Sequence, residues 1–178
     1  MNSPMSNAEQ IFRSRLWPNL PHVSLARTLP YTQTHSLKNS TEKQSAEKKL
    51  LAADTYQISV KNYDVVGRVI LGHEIHSDGT PYSFIGNVAR YDHHLASERA
   101  NKGAVLAAYL ELAAYSEATG EQMQSGISLT PHSMKLWNIL MQTGVAELSR
   151  PFTEHVEDGE LFYFGLAKIR PSSEVARI

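Results

Sequence analysis

From residue 56 the apolar positions fall with a period of two. Tyr56, Ile58 and Val60 alternate with polar residues, and Val65 to Leu71 follows as an unbroken run rich in β-branched and apolar side chains. This pattern predicts two antiparallel strands joined near Lys61-Asn62. Asp78-Gly79 is a strong turn signal, and Tyr82 to Ala89 makes a third strand of the same meander. The period then lengthens to that of a helix, from about Asn101 to Thr119, with Leu106, Tyr109, Leu110 and Ala113 on one face and Gly120 as the stop. Ser125 to Leu129 reads as a short strand. Thr130-Pro131 offers a capping hydroxyl followed by proline at the first helical position, and Met134, Trp137, Leu140 and Met141 form an apolar stripe that ends at Gly144. Two strands close the pattern, about Val145 to Val156 and Leu161 to Ile169, with Asp158-Gly159 as the hairpin turn between them.

Residues 1–50 follow a different rule. Trp17-Pro18, Leu20-Pro21 and Leu29-Pro30 interrupt the chain repeatedly, and Thr32 to Gln44 is almost wholly polar. They read as an N-terminal arm packed on a main domain of residues 51–178, with a short helix over Ala8 to Trp17 and a short strand over His22 to Leu29. Ser40-Thr41-Glu42-Lys43 opens a helical stretch through Ala53 whose lysines, Lys43, Lys48 and Lys49, form a solvated face. The order of elements (strands, helix, strand, helix, two strands) implies an α/β protein of the α+β type. Its central sheet would be mixed but mostly antiparallel, of about six to seven strands, with helices on both faces.

A chain of 178 residues suits one hydrophobic core, and 42% hydrophobic with 20% charged residues is ordinary globular usage. Seventeen basic against eighteen acidic side chains leave almost no net field, which argues against nucleic acid or an anionic membrane as partner of the whole molecule. The absence of cysteine excludes disulfides, thiolate metal sites and a cysteine nucleophile. No apolar run approaches the roughly 20 residues of a membrane helix, and Met1 to Gln10 is polar rather than signal-like, so the expected location is cytoplasmic.

The chemistry concentrates between residues 82 and 110. An apolar strand ends at Ala89-Arg90, a polar loop carries His93, His94, Ser97 and Glu98, and the long helix opens near Arg99-Ala100-Asn101-Lys102-Gly103-Ala104. First-turn amides have no acceptor within the helix, and the macrodipole is positive there. A glycine that lets a ligand approach the backbone, beside Arg99 and Lys102, therefore suits a phosphate.

A strand, a loop and such a turn opening a helix resemble the acyl-CoA-binding core of the GNAT N-acetyltransferases, whose turn reads R-x-x-G-x-G/A. Asn101-Lys102-Gly103 is similar to that family's Gly-Lys-Gly, and Pro131 to Gly144 is similar to its penultimate helix. Two registers stay open. With Arg99 and Ala104 in the outer motif positions, Lys102 stands at the first glycine; the other keeps Gly103 and puts Val105 at the last small position. The resemblance implies an acetyl-CoA co-substrate whose pyrophosphate sits on Arg99, Asn101, Lys102, Gly103 and Ala104. It also implies a backbone amide near Val88 or Ala89 that polarises the thioester carbonyl.

The implied activity is transfer of an acetyl group to an amine of a small molecule or a protein, with His94, His93, Glu74 and His76 as candidate bases. The acceptor is left open, with room for a homodimer. Many members carry on the penultimate helix a tyrosine that protonates the departing thiolate. Here Trp137 stands at the matching position, and its indole cannot act as an acid near neutral pH. The alternative is accordingly a GNAT-fold protein without turnover that binds a macromolecular partner.

Other patterns carry less. His73-Glu74-Ile75-His76 lacks the spacing of a helical zinc motif, and on a strand residues three apart face opposite ways, so no metal is expected. Leu161-Phe162-Tyr163-Phe164 reads as a packed strand rather than a base-stacking platform, since no Lys or Arg cluster flanks it.

Overall fold

The computed structural model describes residues 10, 12–14, 17–28, 52–60, 64–90 and 103–175. Its strands are β1 (Val23–Arg27), β2 (Ala52–Val60), β3 (Asp64–Ile75), β4 (Pro81–Arg90), β5 (Gln122–Gln124), β6 (Ser128–Leu129), β7 (Ala146–Glu157) and β8 (Glu160–Ile169). The helices are α1 (Ala104–Ala118), α2 (Pro131–Gln142) and the single turn α3 (Ser172–Val175). The result is the mixed, mostly antiparallel sheet with packed helices that the pattern implied.

Strands β2 to β4 form the expected antiparallel meander, and β1, read as a strand of the arm, extends it by pairing with β2. The pairing runs from Val23 opposite Val60 on β1 and β2 to Gly67 opposite Arg90 on β3 and β4. Alternation along β2 places Asp54, Tyr56, Ile58 and Val60 in the interior. The helix read from Ser40 through Ala53 requires correction at its end: Ala52 and Ala53 already pair with His73 and Gly72, where a strand partner outweighs alanine's helical preference. The rest of that stretch lies outside the described residues.

The join between the two halves of the sheet is parallel and short. Tyr82, Ser83 and Phe84 pair with Gln122, Met123 and Gln124, and β4 then continues from Ile85 to Arg90 bonded to β3 alone among the described residues. The single strand expected over Ser125 to Leu129 is also corrected. The chain pairs at Gln122–Gln124, breaks at Ser125-Gly126-Ile127, and pairs again with β8 only at Ser128 and Leu129. Ser125 holds the break, donating its amide to the Ala167 carbonyl at 2.8 Å and accepting the Ala167 amide on its hydroxyl at 3.0 Å. The last hairpin closes as read, with Asp158 (φ 52°) and Gly159 (φ 82°) both left-handed, as a tight two-residue turn demands.

Helix α1 is apolar on most of its circumference, and a helix of that kind must be covered on several sides. Leu106, Ala107, Ala108, Tyr109, Leu110 and Leu112 are all buried. The helix lies over β1, β2, β4 and β5. Helix α2 begins as the sequence predicts, with the Thr130 hydroxyl accepting the Ser133 amide at 3.3 Å and Pro131 following. The two helices meet where the rings of Tyr109 and Trp137 stand 6.1 Å apart.

The described part of the first fifty residues belongs to this same core. Phe12 and Leu20 are almost fully buried in it, β1 is a strand of the sheet, and the Arg13 guanidinium donates to the carbonyls of Leu20 and Pro21. Phe12→Ala is accordingly expected to cost about 3–5 kcal/mol in urea-induced unfolding, with one transition rather than two. An early, separate transition would show that the arm folds apart from the sheet.

Candidate functional site

Two features of β4 beyond the short parallel join define the candidate site. The first is the open edge of β4 beyond Phe84, which carries Val88 and Ala89, the positions read as donors of the polarising amide. Val88 is half-buried against the core. The second is a β-bulge one turn of the pleat earlier. Ile85 faces Leu71 and Asn87 faces Ile70, leaving Gly86 without an opposite residue. A bulge frees backbone groups from the ladder and bends the strand, and a glycine isolated inside a strand pattern is its sequence signal.

At the far end of β4 the chain returns to view at Gly103, the N-cap of α1, with φ of 91°. That backbone favours glycine. A Cβ there would also stand 3.0 Å from Leu20 Cδ1 and 3.4 Å from Trp17 Cζ2 and Pro21 Cδ. The first intrahelical bond runs from the Ala107 amide to the Gly103 carbonyl at 2.9 Å, no side chain among the described residues caps the helix, and its first turn holds no acidic residue. The amides of Ala104, Val105 and Leu106 thus precede the helical ladder, at the positive end of the dipole. The Ala104 side chain itself is buried. His93, His94, Arg99, Asn101 and Lys102 lie outside the described residues.

Below the bulge, a cavity of about 490 Å³ opens on the face of the sheet away from α1. Ser83 points towards the helix, its hydroxyl 2.6 Å from that of Ser116, so Tyr82, Phe84 and Gly86 point the other way and line the cavity. Phe84 lies flat over Gly72, where a Cβ would come within 2.4 Å of the ring. Glu74 stands opposite Tyr82 on β3 and accepts the Tyr82 hydroxyl, and the imidazole of His76 stacks on the tyrosine ring at 4.0 Å. Burial first, and then the bond to Glu74 and its charge, push the Tyr82 phenol up to about 12, so it keeps its proton at neutral pH. The far wall is built from Gln124, Ser125, Ile127, Ser128, Arg150 and Leu166.

Of the candidate bases, then, Glu74 and His76 share the cavity. His73 turns to the opposite face, as the strand period requires, where its Nδ1 lies 2.7 Å from Glu121 Oε2 and its Nε2 3.4 Å from Asp54 Oδ2. Arg27 completes that group with Nε and a terminal nitrogen 2.9 and 2.6 Å from Asp54 Oδ1, tying β1, β2, β3 and the start of β5 together. Trp137 is fully buried, and no residue of α2 lines the cavity. Sequence reasoning passed over Gly86, Tyr82 and Arg150. Only Gly86 had a local signal.

Ionisation of Tyr82 offers a direct check on this geometry. In the folded protein its phenolate absorbance, isolated by difference from Tyr82→Phe, is expected to emerge near pH 12 rather than 10. Glu74→Gln should lower the midpoint without returning it to 10, because burial is the larger cause. Tyr56 and Tyr109 are also held above 10 by burial. Above that pH the unfolded chain releases protons that the fold retains, so stability should fall as pH rises in an alkaline unfolding series.

The sequence matches no protein-family model and no curated protein. Among solved structures, the chain is similar to Arabidopsis thaliana Naa50 in complex with the bisubstrate analogue CoA-Ac-MVNAL, at 12% identity and a TM-score of 0.45, over 83% of this chain and 99% of that one. It is similar to a chain of the NatC complex bound to Gag peptide and CoA, at 11% identity and 0.44, over 84% and 99%. A third likeness is to the KacTA-DNA complex, at 12% identity and 0.41, over 88% and 97%.

Proposed function

We propose that this chain transfers an acyl group from an acyl-CoA, with acetyl-CoA as the expected donor, to an amine. The observation that carries the reading is the divergence of β4 from β5 after three residue pairs, with a bulged glycine at the opening and an uncapped helix mouth at the end of the same strand. A linear donor with a diphosphate at one end and a thioester at the other matches that arrangement. Its diphosphate would meet the first-turn amides after Gly103, with Arg99, Asn101 and Lys102 as the adjoining ligands. Its pantetheine would add to the open edge of β4 through Val88 and Ala89. Its carbonyl would then arrive at Gly86.

In the cavity beneath, Glu74 is the group placed to take a proton from the incoming ammonium, with Tyr82 orienting it; His93 and His94 remain alternative bases. The freed nitrogen lone pair attacks the thioester carbon, backbone amides at the bulge stabilise the oxyanion, and the C–S bond breaks as the amide forms. The thiolate leaves with the bonding electrons, and the second proton, released by the nitrogen as the tetrahedral adduct collapses to the amide, reaches the sulfur through solvent, since α2 supplies no acid to this cavity. That last feature favours a second reading, in which the chain binds a donor or a macromolecular partner without turnover. Neither reading needs a metal. The cavity and the open edge also suit a peptide or protein amine as well as a small molecule.

Calorimetry with acetyl-CoA tests the reading. Micromolar affinity is expected, weakened by about tenfold or more in Gly103→Asp than in Gly103→Ala. Both variants place a Cβ at the left-handed N-cap, where aspartate is tolerated better than alanine, so a greater loss in Gly103→Asp reports the charge placed before the helix mouth. Absence of heat in the wild type would reject an acyl-CoA ligand. With binding established, Glu74→Gln should lower kcat for an accepted amine by roughly a hundredfold and leave coenzyme affinity in place. Binding without turnover by the wild type would select the second reading.

A further inference from the structure

Resting on the acyl-transfer reading of the same cavity, we infer that the acceptor amine also carries an anionic group, a carboxylate or a phosphate, and that Arg150 is the residue that selects it. Among the described residues, the ionisable side chains lining the cavity are Glu74, His76 and Tyr82 on one wall and Arg150 on the other. The amine end of an acceptor belongs at Glu74, where the proton is taken. The opposite wall offers a guanidinium that is in no ion pair among the described residues, and Phe84, Ile127 and Leu166 add apolar surface to the lining.

The strand that carries Arg150 is built to aim it. Along β7 the register with β8 shifts twice, once between Leu148 and Arg150 and again between Arg150 and Thr153, so extra residues flank Arg150 on both sides. Bulges re-aim side chains in this way. The pair they leave is Arg150 opposite Leu166, and cross-strand partners share a face; both line the cavity. Pro151 fixes the backbone immediately after Arg150. Phe152 is then seated over Gly165, where a Cβ would fall 2.5 Å from its ring, and Arg150 itself donates to the Gly165 carbonyl at 3.4 Å. A fixed backbone, an anchored neighbour and one long hydrogen bond leave the planar fork of the guanidinium several donors for a carboxylate or phosphate.

The test measures acetyl transfer from acetyl-CoA to alanine, leucine and 6-aminohexanoate, each beside its uncharged carboxamide, and to O-phosphoethanolamine beside ethanolamine. At least one anionic amine is expected to exceed its neutral partner in kcat/KM by about tenfold. The carboxylate and phosphate arms tell which anion is meant. In Arg150→Gln that ratio should collapse towards one, mainly through KM, and Arg150→Lys should restore part of it. Equal use of charged and neutral amines, an unchanged ratio in Arg150→Gln, or no transfer to any of them while acetyl-CoA binds would overturn this inference and leave the coenzyme reading standing. No binding of acetyl-CoA would overturn both.

Discussion

Three residue pairs hold the two halves of this sheet together. Tyr82, Ser83 and Phe84 run parallel to Gln122, Met123 and Gln124, and everything distinctive about the molecule follows from where that pairing stops. Parallel neighbours need a long crossover, which α1 supplies, and the crossover returns the chain to β4 at its beginning rather than its end. Among the described residues no strand lies beside the edge of β4 beyond Phe84, and a sheet edge with free amides and carbonyls is a ready partner for an extended ligand. On the other side of the gap the chain breaks at Ser125-Gly126 and is held to Ala167 by the amide and the hydroxyl of Ser125, so hydrogen bonds fix the chain where it leaves β4.

The same junction explains why the polar groups of the cavity sit where they do. A period of two sends Ser83 towards α1 and Tyr82 with Phe84 away from it, so the face that anchors the helix and the face that lines the cavity are separated within one strand. Glu74 and His73 divide in the same way on β3. Glu74 joins the cavity, while His73 enters a network with Asp54, Glu121 and Arg27 that fastens the meander to the crossover. Adjacent residues of similar chemistry thus serve a site and a scaffold.

Much of this fold could be read from local pattern, because its elements use local rules. The alternation of Tyr56, Ile58 and Val60, the Thr130-Pro131 cap and the Asp158-Gly159 turn each depend on neighbours in sequence, and each appears where expected. The misreadings share a different cause. Ala52 and Ala53 favour a helix until β3 offers them partners, and Ser125 to Leu129 looks like one strand until the parallel pairing exhausts itself at Gln124. For the site, Glu74 and Gly103 could be nominated from residue type and position. Gly86 left a trace as a glycine inside a strand. Tyr82 and Arg150 left none, since a tyrosine and an arginine in strands are ordinary, and only the register of the bulges in β7 brings Arg150 over the cavity.

Those irregularities in β7 reach beyond the residue they orient. β7 lies at the margin of the sheet with β8 as its neighbour, and much of its outer length is solvent-facing, Leu148 and Val156 included. A straight ribbon of twelve residues in that place would invite another polypeptide to zip alongside. Two kinks and a proline break the ribbon into pieces too short and too twisted for such zipping, and the exposed carboxylates of Glu154 and Glu157 add charge along it. The contortion that brings Arg150 over the cavity therefore also shortens the exposed margin open to such pairing.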